Sequence, residues 1–266
     1  MRRVTIRHVM ATSSSTTRGR VRHKYRKSPI TEAVCEFQFR GSSEWDWTVL
    51  GLVYQEIKTE FPNKRQEVGF EINVAPQQGK VERSVGGSLS KMQFLREDGS
   101  AMVQLGPDLL AINVLAPYPS WDAFEALIRR QFEVYNRIAH PVGFKRIGLR
   151  YINRIVIPSK NIETTDYLCY YPQLPKTLEQ AHGPFAMRVM HPYEGERDIL
   201  NLQIANVQAE DENYAIALDL DYYLTQPDKV ELNKAVEWVT VAHETIETVF
   251  EACITDKTRN LFEETR

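Results

Sequence analysis

GFKRIGLRYINRIVIP, residues 143–158, has the longest clean period of two in the chain. Ile147, Leu149, Tyr151, Asn153, Ile155 and Ile157 fall on one side. Phe144, Arg146, Gly148, Arg150, Ile152 and Arg154 fall on the other. Successive side chains of a strand point to opposite faces, so the stretch predicts one long strand. One face is apolar apart from Asn153. The other sets three guanidiniums four residues apart, about 13 Å at the usual rise per residue.

Working outward, the stretch lies between two segments of similar element order. Before it, Pro29–Arg40 alternates with Ala33, Cys35, Phe37 and Phe39 on one face and Glu32, Glu36 and Gln38 on the other, which predicts a strand. A helix is predicted over Glu44–Phe61, capped by Ser42 or Ser43 and stopped by Pro62. Strands are predicted over 67–75, 80–90, 92–97 and 109–115, with Asp98-Gly99 as a hairpin turn. Ser120 is placed to cap a helix over 121–139. After the central stretch, 159–183 reads as loop or short helices, followed by strands over 185–191, 199–207 and 214–224. Asp228 is placed to cap a long helix to about Cys253, and 256–264 reads as a short one.

The expected fold class is α+β. Two similar halves, 28–142 and 143–266, each run strand, helix, antiparallel strands, helix. They are expected to form one body with a curved antiparallel sheet and helices on one face. That pattern resembles TATA-binding-protein-like or helix-grip architectures by element order only.

Composition limits function. The 266 residues include 33 basic and 35 acidic ones, and nine of the basic residues precede the first acid at Glu32. The remaining 24 stand against all 35 acids, so the body is acidic, which argues against a nucleic-acid-binding body. Nucleic acid would be met only through the tail, and residues 1–27 are expected to be disordered. No apolar run spans a membrane, and no signal-peptide core is present. Cys35, Cys169 and Cys253 are widely spaced, so a disulfide framework or zinc site is not expected and a reducing cytoplasm is.

The chemistry-bearing patterns are few. Arg146, Arg150 and Arg154 either pair across the sheet with Glu32 and Glu36 or with Asp219 and Asp221, or line a face open to an anionic ligand or partner. These seven are the candidate binding residues. Asp219-Leu220-Asp221 has a DxD spacing without a third acid, so no metal is expected. His243 and Glu247 lie four apart on the last helix without an HExxH pattern. Gly86-Gly87 lacks the lysine and helix of a phosphate loop. No catalytic residue or cofactor is assigned.

Three stretches, PITEAVCEFQF (29–39), IGLRYINRI (147–155) and FEACITDKTRNLF (250–262), resemble the signatures of a sporadically distributed prokaryotic protein family. Its members have about this length and no assigned activity. The resemblance brings no catalytic residues. Its patchy distribution implies a mobile or host-defence-type locus. The expected function is a non-enzymatic protein-interaction module, an accessory or neutralising partner. The alternative is a small-molecule binder or enzyme with its pocket between the curved sheet and the last helix.

Overall fold

The alternating stretch 143–158 becomes the middle of a large antiparallel sheet. The computed structural model describes residues 23–41, 45–77, 80–159, 161–173 and 184–265; over 68–90 it gives the strand path alone. In chain order the elements are β1 (Lys24–Tyr25), β2 (Ile30–Phe39), α1 (Thr48–Ile57), β3 (Asn63–Gln77), β4 (Lys80–Leu95), β5 (Ala101–Gly106), β6 (Leu109–Leu115) and α2 (Trp121–Ala139). They continue as β7 (Phe144–Ile157), α3 (Thr164–Tyr167), β8 (Ala186–Tyr193), β9 (Asp198–Val207), β10 (Tyr214–Leu224), α4 (Ala235–Cys253), α5 (Asp256–Leu261) and β11 (Glu264–Thr265). No helix among the described residues is long and apolar enough to cross a membrane.

Nine strands lie in the order β3-β4-β5-β6-β2-β7-β10-β9-β8, each antiparallel to its neighbour. β7 therefore has β2 on one side and β10 on the other. Its apolar set, Ile147, Leu149, Tyr151, Ile155 and Ile157, is buried, as are Ala33, Cys35, Phe37 and Phe39 of β2. These side chains meet the helices. The ring of Phe37 lies 4.9 Å from that of Phe132 on α2, and Phe39 stacks on Tyr135 at 4.7 Å. Tyr54 of α1 stacks on Phe94 of β4 at 5.0 Å, and Trp238 of α4 meets Tyr222 of β10 at 5.4 Å. Three helices thus cover one face, and burying aromatic area there supplies much of the driving force for folding.

Polar ties fix the helices. Ser120 Oγ accepts from the Ala123 amide and caps α2, as its position predicts. His140 adopts a left-handed conformation at the C-terminus of α2 (φ 43°) and ends it. The wholly buried carboxylate of Asp198 accepts from the Trp238 indole, the Tyr222 hydroxyl and Arg197, joining α4 to the sheet.

Several boundaries differ from expectation. α1 begins at Thr48, where Asp46 accepts from the Thr48 amide at 2.8 Å; Ser42 and Ser43 lie outside the described residues. β4 is one strand where two were expected, because its register with β3 shifts at Glu67/Val68 without breaking. Gly86 and Gly87 continue that strand. Asp228 does not cap α4: it sits at φ 60° and pairs with Arg40, and α4 begins at Ala235. The C-terminal helix stops at Leu261, and the chain then pairs as β11 with β1.

This pairing corrects the tail expectation over residues 23–27. The Arg26 and Lys27 amides donate to the carbonyls of Glu263 and Phe262, and Tyr25 packs its ring on Phe262 at 5.3 Å. A partner strand and an aromatic contact order these five residues, which composition could not reveal. Residues 1–22 lie outside the described ones.

Candidate functional site

The face of the sheet turned away from the helices carries the predicted binding residues. In register, Gly148 of β7 stands between Glu36 of β2 and Tyr223 of β10, and Arg150 stands between Val34 and Asp221. The arginines reach diagonally. Arg146 donates to Glu36 at 3.0 Å and to both oxygens of Asp221 at 3.1 and 3.2 Å, with its guanidinium 4.8 Å from the Tyr223 ring. It lies across Gly148, where a Cβ would meet the guanidinium carbon at 2.9 Å. Arg150 forms a two-pronged pair with Asp219 at 2.8 and 2.5 Å. Arg154 donates to the Gln208 carbonyl at 2.8 Å. Burial pushes the Asp221 carboxyl up, with Arg146 opposing; the bond to Asp219 raises Arg150 further.

Glu32 belongs to a different chain of contacts. Arg65 donates to Gln93, Gln93 to Gln104, Gln104 to Asn113 and Asn113 to Glu32, which crosses β3, β4, β5, β6 and β2. The structure therefore brings Glu36, Arg146 and Asp221 together and pairs Arg150 with Asp219. The hydrogen bonds of Glu32 and Arg154 go elsewhere, to Asn113 and the Gln208 carbonyl, although the Glu32 charge still acts on Arg150. Both carboxylates of the DxD spacing are engaged by arginine. No group of three metal-binding side chains occurs among the described residues.

The opposite face holds a feature that the arginine pattern does not indicate. A cavity of about 380 Å³ lies between β7, β10, α4, the start of α2 and the segment 23–30. Tyr118, Trp121, Tyr151, Asn153, His243 and Glu247 are among the residues that line it. The Tyr118 and Tyr151 hydroxyls are 3.2 Å apart, and the Tyr151 hydroxyl is 3.2 Å from His243 Nδ1. Trp121 stacks flat on the His243 ring at 3.9 Å. Burial raises the Tyr118 phenol, and burial with Tyr118 raises Tyr151, so both stay protonated near neutral pH. They serve as hydroxyl donors and acceptors in a relay ending on an imidazole.

Asn153 is 2 % exposed and donates through Nδ2 to the Leu218 carbonyl at 3.0 Å. The same side of the cavity is closed by the end strands: the Tyr25 hydroxyl donates to Glu251 Oε1 at 2.7 Å, and Arg259 donates to Oε2 at 2.8 Å. The sequence carries traces of this site. Asn153 interrupts an apolar strand face, and His243 and Glu247 share one side of α4. Nothing in the spacing joins them to Tyr118, on the connection before α2, or to Trp121, at the start of α2.

Family models were scanned without a match, and no curated protein matches the chain.

Proposed function

We propose that the protein binds a small molecule in the cavity between the sheet and α4. The carrying observation is the convergence of Tyr118, Tyr151, Asn153, His243 and Glu247 on a cleft of about 380 Å³ that opens beside the exposed Lys24, Ser120 and Asp122 and reaches the buried Asn153. Ligand pockets combine such a volume with aromatic walls and a few placed polar groups.

The finer fold reading supports the same place. β2 and β7 open two halves of similar order, each closed by a strand that returns to pair with its opener, β6 on β2 and β10 on β7. Each half then ends in a helix of 19 residues, α2 and α4. We read this as a duplicated, TATA-binding-protein-like or helix-grip-like arrangement, in which the cavity lies where the two long helices meet the central strands.

A protein-interaction role in a mobile or host-defence-type locus is the second reading. It is favoured by the polar sheet face, where Arg150 keeps 45 % of its side chain exposed although paired. Within it, Arg150 and Arg154 are the contact points for an acidic partner.

A ligand-observed NMR screen of small fragments tests the first reading. Hits should be lost in Asn153→Leu, which keeps the bulk and removes the amide. Fragments that bind this variant as they bind the wild type would place their site elsewhere.

A further inference from the structure

We propose that Cys169 and Cys253 form a reversible disulfide when the protein meets a peroxide, joining the segment after α3 to the C-terminus of α4. The pairing goes beyond the cavity reading and does not depend on it.

The backbone brings the two cysteines together. Leu168 and Ile254 form an isolated antiparallel bridge. The Cys169 amide donates to the Cys253 carbonyl at 2.9 Å, and the Thr255 amide donates to the Tyr167 carbonyl at 3.1 Å. In an antiparallel pair one segment runs forward as the other runs back, so Cys169 stands opposite Cys253. Residues so placed have their Cα atoms about 5.5 Å apart, within the span of roughly 4.4–6.8 Å that a disulfide bridges. Their side chains share one face, away from the buried Leu168 and Ile254. The Cys169 thiol donates to the Ile254 carbonyl at 3.5 Å, so its sulfur already turns toward the segment that carries Cys253. Lys257 pairs with Asp166 at 2.8 Å and holds the same two segments together from the other side of the bridge.

The two thiols have unlike surroundings. Cys169 is exposed and Cys253 is buried. Burial, with the Cys169 thiol adding to it, pushes the Cys253 thiol up to about 12. Cys169 is therefore the sulfur that a peroxide reaches first. Its Sγ attacks one peroxide oxygen, the O–O bond breaks, and the thiol proton leaves with the departing oxygen as water. Cys253 Sγ then attacks the Cys169 sulfenic sulfur, the S–O bond breaks, and the Cys253 proton leaves with that hydroxyl as a second water. The thiol pair gives up two electrons and the peroxide takes them. Cys253 keeps its proton until its own attack, so the second step is the slower one. Cys35 is wholly buried on β2 and stays out of reach.

Peptide mapping of the full chain after treatment with stoichiometric hydrogen peroxide tests the proposal. The expected product is one intramolecular cross-link between Cys169 and Cys253, opened by dithiothreitol, with Cys35 unmodified. The oxidised chain should melt several degrees above the reduced one, because a cross-link restricts the unfolded chain. In Cys253→Ser, Cys169 should stop at the sulfenic acid, captured by dimedone, and the melting difference should vanish. The wild-type map decides the matter even if that variant does not fold. Cys169 oxidised to a sulfinic acid, or linked between chains, with Cys253 still a thiol would overturn the proposal. So would a Cys169 that peroxide leaves untouched.

Discussion

Arg146 and Arg150 show how one spacing yields two different environments. Both lie on the same face of β7, four residues apart, yet Arg146 is 26 % exposed and touches two carboxylates, while Arg150 is 45 % exposed and touches one. The cause is the neighbour in register. Gly148 leaves room for the Arg146 guanidinium to lie down between β2 and β10; beside Arg150, β2 offers only Val34. Arg146→Leu would leave Glu36 and Asp221 without their shared cation. We expect it to cost about 2–3 kcal/mol, below the range for a fully buried pair because both carboxylates keep some solvent. Arg150→Leu should cost roughly 1 kcal/mol, since exposure screens that pair. Urea denaturation of the two variants checks the order; a larger loss for Arg150→Leu would contradict it. Of these two, Arg146 is the more enclosed and Arg150 the more available.

At the scale of elements, the clasp of β1 on β11 closes the cavity's outer side. Its strength comes from few contacts. Two residue pairs form the ladder, Tyr25 reaches Glu251, and His23 Nδ1 lies 2.5 Å from Glu264. Trimming the chain through Lys27 removes all of them and uncovers Phe262, which is 4 % exposed. With about 2 kcal/mol at stake, the melting temperature should fall by about 4–8 °C relative to a chain trimmed through Arg22. Equal melting temperatures would mean that the clasp contributes nothing to stability. On the proposed small-molecule reading, the same trimming should speed exchange from the cavity, because His23, Lys24 and Tyr25 line it.

For the whole molecule, buried tyrosines set the alkaline limit of stability. Burial raises the phenols of Tyr118, Tyr135 and Tyr151 above their ordinary value near 10. The folded state then holds protons that the unfolded chain releases. Their stabilising effect is complete below pH 10 and is lost as pH rises toward the folded values, by about 1.4 kcal/mol per pH unit for each tyrosine. Urea midpoints measured from pH 9 to 11 should fall steeply, and Tyr151→Phe should flatten the fall by one such increment. Unchanged steepness in that variant would show that Tyr151 ionises while folded. What the sequence by itself determined is the part governed by local periodicity: the strand 144–157 and its two faces, β10 at its stated bounds, the Ser120 cap and the Asp98-Gly99 turn. Each depends on residues within a few positions of one another. Only the tertiary structure decided that β7 lies between β2 and β10, because strand order depends on pairings far apart in sequence, from Tyr214 with Ile157 to Ile30 with Asn153. It alone brought Tyr118, from the connection before α2, and Trp121, from the start of α2, to Tyr151, Asn153 and His243. Asn153 was legible as a polar break in an apolar strand face, and His243 as lying four residues from Glu247 on the last helix, but a cavity is a property of how helices and sheet meet, and no single element encodes it.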